Sequence, residues 1–177
     1  LSAGVQTFVC TVELDAARGR PPYFEEARAL AKAGSSTDST MVPPGKLTFV
    51  QFEMENGQAA EDARVLILAT NVMNAMKRDE VVYLHCNDGC GRTGTLASIV
   101  LHMLYGIPAE RAMALCQLMH DQRHHAAAQK SSLSPQTAMQ RIQVSRIIKS
   151  LQITTAAATA ATAADADADA DAAPVNN

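Results

Sequence analysis

The segment HCNDGCGRTG, residues 85–94, constrains the fold of this chain more than any other. It follows the apolar run VVYL, which predicts a buried strand, and precedes TLASIVLHMLYG, whose apolar spacing predicts a helix. A glycine-rich connection from strand to helix is typical of α/β folds, in which ligands bind beyond the carboxyl ends of the strands. The segment therefore predicts both the fold class and the place of a functional site.

The rest of the chain alternates between strand and helix patterns in the same way. Two further strands are predicted at VQTFVCTVEL and KLTFVQFEM, and a helix over ARVLILATNVMNAMKRDE. Gly34 ends a helix that begins near Tyr23, after a turn at Pro21 and Pro22. The remaining connections are predicted at 35–45, 55–62 and 124–134, and the remaining helices at about 93–104, 108–123 and 135–152. This order predicts an α/β protein with a small central, mostly parallel sheet flanked by helices.

The end of the chain has a different composition. Residues 153–177 are almost entirely Ala, Thr and Asp. Such a composition buries little apolar surface, so we expect a disordered, low-complexity acidic tail. Residues 1–152 form one predicted domain, which is long enough for a single hydrophobic core. Because the first residue is Leu1 rather than a methionine, we expect this domain to be cut from a longer chain.

The charge of the chain argues against two classes of partner. The net charge is −3 and the sequence pI is about 5.9, so no basic field would gather nucleic acid or an anionic membrane. No apolar stretch approaches the roughly 20 residues that span a bilayer, and we expect no signal peptide at this N-terminus, so we predict no membrane insertion.

The cysteines and histidines argue against disulfides and metal. The four cysteines are too few for a disulfide framework and form no paired CxxC zinc pattern, so we expect reduced thiols in the cytoplasm. His124 and His125 are adjacent but lack a third ligand, so we predict no metal site.

Two common interpretations of a glycine-rich loop fail here. Gly89, Gly91 and Gly94 satisfy G-x-G-x-x-G, but a dinucleotide site needs a second strand ending in an acidic residue about 20 positions later. Here Gly106 and Pro108 lead from one helix directly into another. A nucleotide-binding G-x-x-x-x-G-K-[ST] loop needs a lysine, and this segment has none.

A third interpretation uses every residue of the segment. Glycines let successive backbone N–H groups converge on an anion, and the following helix adds its positive end. Arg92 can add two parallel charge-assisted hydrogen bonds to a phosphate. The same field stabilises a thiolate, so it would lower the pKa of Cys86 from about 8.5 into the range of about 3.5 to 7.5. We call residues 86–92 the glycine loop and predict that it binds phosphate beside a nucleophilic sulfur.

His85-Cys86, five residues, and then Arg92-Thr93-Gly94 resemble the HC-x5-R-[ST] signature of the cysteine-dependent protein tyrosine phosphatase superfamily, in its HCxxGxGRTG form. The resemblance extends more loosely over residues 5–150. The chain length and the lack of large insertions are more similar to the compact dual-specificity group. The resemblance implies a protein tyrosine phosphatase-like fold and hydrolysis of phosphate monoesters through a phosphocysteine, without a cofactor.

The resemblance also implies roles for individual residues. Cys86 would be the nucleophile, Arg92 would bind phosphate and stabilise the transition state, and the hydroxyl of Thr93 would help the thiolate leave. His85 would orient the loop, and Gln136 and Gln140 in SPQTAMQ would position the hydrolytic water or simply begin a helix. The residues that would line the phosphate are Asn87, Asp88, Gly89, Cys90, Gly91 and Arg92.

The sequence departs from the family at the general acid. The family usually supplies an aspartate about 30 residues before the cysteine, and Asn56 stands there, which cannot donate a proton in this role. Glu55 and Asp88 are the two main candidates for the acid, and Asp62 is a more distant one. Glu55 is alternatively a solvated turn residue. If neither main candidate serves, turnover should survive best on aryl phosphates.

Substrate class and redox chemistry follow from the same segment. The glycine loop carries Asp88 and no lysine, so it would repel a polyphosphorylated lipid, and phosphoproteins are the favoured substrates. A phospholipid phosphatase is one alternative. A catalytically weak phosphate-binding interaction module without an effective acid is another. Cys90 and Cys10 are candidates to capture an oxidised Cys86 as a disulfide, although packing in the core is the favoured role of Cys10.

Overall fold

The structure is a computed structural model that describes residues 3–13, 23–34, 47–123 and 132–170, with only the backbone described for residue 161 and residues 163–170. Three strands and five helices are described in it. In chain order they are β1 (Val5–Cys10), α1 (Tyr23–Gly34), β2 (Thr48–Gln51), α2 (Asp62–Lys77), β3 (Val81–His85), α3 (Gly91–Tyr105), α4 (Ala109–Asp121) and α5 (Ala138–Ala170).

The three strands form one parallel sheet in the order β2-β1-β3. Cys10, the last residue of β1, is paired with Gln51 of β2 and with His85 of β3. Because all three strands run in the same direction, their carboxyl ends meet at one edge of the sheet. The chain segments that follow β1, β2 and β3 therefore lie side by side at that edge.

Helices cover both faces of the sheet. Neighbouring residues of a strand point to opposite faces, and in β1 Phe8 and Val9 show this directly. Phe8 packs against Tyr23 of α1 and Phe49 of β2, with ring centroids 5.9 and 5.2 Å apart. Val9 is fully buried on the other face, in the main core. The buried residues of that core are Val9, Met54, Val65, Leu68, Ala69, Val72, Leu96, Ile99, Val100, Ala109, Val144, Ile147 and Ile148.

The predicted fold class is confirmed: a small parallel sheet is flanked by helices, and every predicted strand and helix is present. Near the expected site, the end of β2 and the start of α3 differ from the predicted bounds. Strand β2 ends at Gln51, yet backbone bonds from Phe52 to Cys10 (2.9 Å) and from Met54 to Thr11 (3.4 Å) keep the next residues beside β1. Helix α3 begins at Gly91, inside the glycine loop, because the N–H of Gly94 already bonds to the carbonyl of Cys90 (3.0 Å).

Helix α5 continues to Ala170, well past the expected end at residue 152. Alanine has the highest helix propensity of all residues, which accounts for a helical backbone in this part of the chain. The side chains of residues 152–160 are exposed, so propensity rather than packing holds this part, and such a helix is marginal when isolated. The division into a domain at 1–152 and a disordered tail at 153–177 stays a prediction.

Several expectations fall outside the described residues. They are the turn at Pro21 and Pro22, the loop at 35–45, the histidine pair His124 and His125, and residues 171–177. Among the helices that are described, none is both long enough and apolar enough to cross a membrane.

Candidate active site

The glycine loop connects the carboxyl end of β3 to the first turn of α3. Gly89 has a φ of 66°, the left-handed region that glycine adopts without strain. Gly91 lies so close to Gln140 that a Cβ atom there would be 2.8 Å from the Gln140 amide oxygen. The glycines are therefore needed for the backbone path of the loop and for its close packing against Gln140.

Cys86 lies at the start of this loop with 8% of its surface exposed. Burial raises its pKa, but hydrogen bonds from the side chain and backbone of Thr93 and from the backbone of Gly89, together with the charge of Arg92, outweigh that effect. The net result is a pKa lowered from the ordinary value of a thiol. The loop thus favours a thiolate, which is the nucleophilic form of cysteine.

The Thr93 hydroxyl is directed to this sulfur rather than to another group. Its oxygen is buried and has no hydrogen-bond partner of standard geometry among the described residues. Its interaction with Cys86 is one of those that lower the pKa of the thiol. This placement fits the predicted role of Thr93 in assisting the thiolate as a leaving group.

Arg92 points into the site and is only 3% exposed. Its Nη1 donates to the backbone carbonyls of Met54 (3.0 Å) and Thr11 (3.4 Å), in the segments that follow β2 and β1. In the part of the chain that the structure describes, Nε and Nη2 make no hydrogen bond, so these donors remain for a phosphate. Arg92 therefore joins all three strand ends while keeping a fork of donors beside Cys86.

The backbone carbonyls of the glycine loop are bonded on its outer side. Ser134 Oγ donates to the carbonyl of Cys90 (3.0 Å), and the guanidinium of Arg123 donates to the carbonyls of Asp88 (3.1 Å) and Gly89 (2.8 Å). Ser134 and Arg123 were missed by sequence reasoning. No local pattern marks them, because each lies over 30 positions from the carbonyl it binds.

His85 connects the loop to α1. Its Nδ1 lies 3.2 Å from the carbonyl of Cys86, and its Nε2 lies 2.9 Å from the hydroxyl of Tyr23. A carbonyl can only accept, so Nδ1 carries the proton and Nε2 accepts from Tyr23. Burial raises the pKa of Tyr23, and the charges of Cys10 and Tyr83 add to this, so the phenol stays protonated and able to donate. The predicted supporting role of His85 therefore extends to Tyr23, another residue that the sequence did not reveal.

Removing the Tyr23 hydroxyl should weaken this chain of hydrogen bonds. In Tyr23→Phe the imidazole of His85 can adopt the other tautomer, and the carbonyl of Cys86 then loses its donor. We expect kcat/KM at acidic pH to fall by about two- to tenfold, the worth of one net hydrogen bond. The acid limb of the pH profile should move to higher pH, because the thiolate loses support.

Tyr83→Phe is the matched control for that substitution. The ring of Tyr83 also stacks on His85, at 5.2 Å between centroids, but the contact is between the rings alone. Tyr83→Phe should therefore leave the acid limb in place. An equal shift in the two variants would show that ring packing, and not the hydroxyl of Tyr23, supports the loop.

The candidates for the general acid are placed differently from one another. Glu55 and Asn56 are exposed in a turn that the backbone bond from Gln58 to Glu55 closes (3.2 Å), directly after Met54, whose carbonyl binds Arg92. This turn is held by the residue directly before α5, since Thr137 Oγ1 donates to the carbonyl of Gly57 (2.9 Å). Glu55 is thus carried by a segment tied directly to the glycine loop.

The two aspartates have different surroundings. Asp62 is paired with Arg146 of α5, and Gln143 also donates to it (2.8 Å). The hydrogen bond from Arg146 lowers the pKa of Asp62, which makes it a structural carboxylate rather than a proton donor. Asp88 is exposed in the glycine loop next to Asn87, which is exposed as well.

Of the two glutamines, one is buried and one is exposed. Gln140 is fully buried beneath Gly91, and its Oε1 accepts the backbone N–H groups of Gln136 and Thr137, both at 3.1 Å. The side chain of Gln136 is exposed. Gln140 therefore supports the loop and the start of α5. The water-positioning role of both glutamines stays a prediction.

The other cysteines near the site have distinct surroundings. All four cysteines are free and buried. Cys90 Sγ donates to the carbonyl of Asp88 (3.3 Å) and lies 3.7 Å from Nδ1 of His120. Cys10 ends β1 beside His85. These contacts give each thiol a structural position, and capture of an oxidised Cys86 by either stays a prediction.

A glycine loop at a strand-to-helix junction, a buried thiol with a lowered pKa and a buried arginine beside it are the features of a cysteine-based phosphatase domain. Residues 1–161 match the family described as "PTP-SAK: Swiss Army Knife protein, DSP-PTPase phosphatase domain". The chain belongs to this family. No curated protein sequence matches it.

Solved structures of Tk-PTP share this fold. "Crystal structure of Tk-PTP in the active form" matches with a TM-score of 0.60 and 14% identity, over 84% of this chain and 81% of that one. A crystal structure of a mutant form of Tk-PTP matches with a TM-score of 0.60 and 15% identity, over 86% of this chain and 82% of that one. The crystal structure of P. aeruginosa TpbA matches with a TM-score of 0.45 and 18% identity, over 82% of this chain and 67% of that one. At these identities the Tk-PTP matches show a shared fold.

Proposed function

We propose that this phosphatase domain hydrolyses phosphotyrosine in proteins through a phosphocysteine formed on Cys86. The observation that carries the proposal is the buried Cys86 thiol, whose pKa is lowered within a loop that also presents the free donors of Arg92. A thiolate and a phosphate dianion repel each other. A site that stabilises the thiolate and also binds the phosphate brings the sulfur within reach of phosphorus and is therefore suited to nucleophilic attack. A reducing compartment is proposed with it, because all four thiols are free.

The proposed reaction has two steps. The thiolate of Cys86 attacks phosphorus, the S–P bond forms, and the P–O bond breaks as the tyrosine oxygen takes a proton from the general acid. Water then attacks the phosphocysteine, gives its proton to the same carboxylate, and releases phosphate and the thiolate. Loop N–H groups and Arg92 would stabilise the negative charge of the equatorial oxygens in both steps.

We propose Glu55 as the general acid. Its turn follows Met54, whose carbonyl accepts from Arg92, and Thr137, directly before α5, donates to the carbonyl of Gly57 in the same turn. Asp88 instead lies within the glycine loop itself, two residues after Cys86, and is exposed. The hydrogen bonds that join the turn of Glu55 to Arg92 support Glu55 as the acid.

The test compares Glu55→Gln with Asp88→Asn. A general acid must be protonated to act, so its loss removes the basic limb of the kcat/KM profile. We expect Glu55→Gln to lose this limb with phosphotyrosine peptides and to lower kcat by about 10²- to 10⁴-fold. Aryl phosphates with good leaving groups should be affected far less. Asp88→Asn is the control in the same assay, and a selective loss in that variant would transfer the role to Asp88.

Substrate preference is proposed from the charge of the loop. Asp88 is exposed at its rim and residues 85–94 contain no lysine, which disfavours polyphosphorylated headgroups. The wild-type domain should therefore act on phosphotyrosine peptides faster than on phosphoinositides. Phosphoserine and phosphothreonine peptides in the same panel would reveal dual specificity. Preference for phosphoinositides would instead support a lipid phosphatase.

The second candidate function is a phosphate-binding module with little turnover. It is favoured by one observation, the asparagine Asn56 where the family usually has an aspartate. The same panel separates the two functions. A domain that binds phosphotyrosine peptides but hydrolyses neither these peptides nor p-nitrophenyl phosphate would be a binding module, and the proposed enzyme would be rejected.

A further inference from the structure

Successive peptide groups of the glycine loop have their carbonyls bonded on the outside of the site. The carbonyl of Asp88 accepts from Arg123 Nη1 (3.1 Å) and from Cys90 Sγ (3.3 Å), and the carbonyl of Gly89 accepts from Arg123 Nη2 (2.8 Å). In a trans peptide the N–H of the next residue points away from the carbonyl. Outward carbonyls at 88 and 89 therefore direct the N–H groups of Gly89 and Cys90 inward.

One of these inward N–H groups acts on the nucleophile. The backbone of Gly89 hydrogen-bonds to the sulfur of Cys86 and helps to lower its pKa. The peptide that carries this N–H is the one whose carbonyl, at Asp88, is bonded to Arg123. The side chain of Arg123 is thus connected to Cys86 through a single peptide group.

The approach of Arg123 depends on the lack of a side chain at Gly89. A Cβ atom on Gly89 would lie 2.5 Å from Arg123 Nη1. Gly89 also has a positive φ of 66°, a conformation that residues with a side chain rarely adopt. The guanidinium can therefore lie flat against the outer face of the loop and bond to two consecutive carbonyls, a geometry suited to its planar fork.

The other side of Arg123 is held by a buried histidine. His120 is 3% exposed, and its Nδ1 is in hydrogen-bond contact with Arg123 Nη2. Its Nε2 lies 3.0 Å from the hydroxyl of Ser132. With Nε2 donating to Ser132, the lone pair of Nδ1 is free to accept from Arg123. Arg123 is therefore fixed between His120 and the loop although it lies at the surface.

We propose that Arg123 is a positioning residue of the phosphatase site, holding the carbonyls of Asp88 and Gly89 outward so that the loop N–H groups face Cys86 and the phosphate. This inference rests on the proposed binding of phosphate by the glycine loop. Charge-assisted bonds to two carbonyls make the loop more rigid before the substrate arrives. Arg123 itself touches neither the sulfur nor the phosphate and acts only through the backbone.

The test uses the full chain with Arg123→Met and Arg123→Lys. Inhibition of p-nitrophenyl phosphate hydrolysis by inorganic phosphate reports binding, and alkylation of Cys86 by iodoacetamide as a function of pH reports the thiolate. In Arg123→Met we expect the inhibition constant to rise about tenfold, the effect of one lost charge-assisted bond. The alkylation profile should move to higher pH. Arg123→Lys keeps the charge but cannot bond to both carbonyls, so it should show most of the same defect.

Arg111→Met is the matched control. Arg111 lies exposed on α4, the helix that ends two residues before Arg123, and makes no hydrogen bond or ion pair among the described residues, so both readouts should match the wild type. Recovery of wild-type values in Arg123→Lys would overturn the inference, since charge alone would then explain the effect. Wild-type values in Arg123→Met, or loss of its folded state in thermal unfolding, would overturn it as well. A wild-type domain that binds no phosphate would instead reject the proposed function.

Discussion

Replacing Cys86 with serine is expected to lower kcat for p-nitrophenyl phosphate by roughly 10⁴-fold or more, the scale seen when a nucleophile is removed. The hydroxyl of serine has no comparable tendency to ionise, whereas the Cys86 pKa is lowered by Thr93, Gly89 and Arg92 despite burial. Binding should persist, because the loop N–H groups and Arg92 remain. A phosphotyrosine peptide should therefore bind Cys86→Ser with an affinity close to that of the wild type, measured by calorimetry.

Cys116→Ser provides the control for the first prediction. Cys116 is also a buried thiol, but burial raises its pKa, and its sulfur accepts from Ser98 Oγ (3.3 Å) inside the helical layer. Its replacement should leave kcat unchanged. Hydrolysis at the wild-type rate in Cys86→Ser would reject the covalent mechanism. Loss of peptide binding in that variant would mean that the sulfur, and not the loop, holds the phosphate.

Replacing Arg92 with lysine should lower kcat/KM by about 10²- to 10³-fold, the cost of one lost transition-state donor. Lysine is a single point charge and cannot bond to the carbonyl of Met54 while presenting a fork to phosphate. The carbonyl of Met54 would also lose its donor, which should reduce the free energy of unfolding by about 1–3 kcal/mol. Steady-state kinetics and urea unfolding measure the two effects.

Arg64→Lys serves as the control for that second prediction. The guanidinium of Arg64 lies 5.0 Å from the ring centroid of Phe52, on α2 and away from the glycine loop. Its replacement should change kcat/KM little. If Arg92→Lys retained wild-type kinetics, a single positive charge would suffice at this position, and the proposed bidentate contact with phosphate would be rejected.

Local chemistry explains why the glycine loop could be predicted. The thiol, the glycines, Arg92 and Thr93 lie within eight positions of one another, and the apolar runs on both sides indicate a strand and a helix. Residues this close along the chain have little freedom in how they meet. The general acid could not be predicted in this way, because Glu55 and Asp62 lie outside the loop and only long-range packing determines the surroundings of each carboxylate.

The surroundings of these two carboxylates differ in the structure. Arg146 and Gln143 of α5 bind Asp62, whereas the turn of Glu55 is attached to Arg92 through the carbonyl of Met54. Nothing in the spacing of these residues along the chain predicts which carboxylate pairs with α5. The choice depends on where α5 crosses the end of α2, which follows from the shape of the shared core.

The amino-acid sequence by itself determined the order of strands and helices and the chemistry of the glycine loop, because both depend on residues that are near neighbours in the chain. Only the tertiary structure decided which distant groups complete the loop. Tyr23 reaches His85 across 62 positions, Met54 reaches Arg92 across 38, and Arg123 reaches Gly89 across 34. Such contacts depend on how helices pack on the sheet, and hydrophobic periodicity specifies which face is buried but not which side chains meet there.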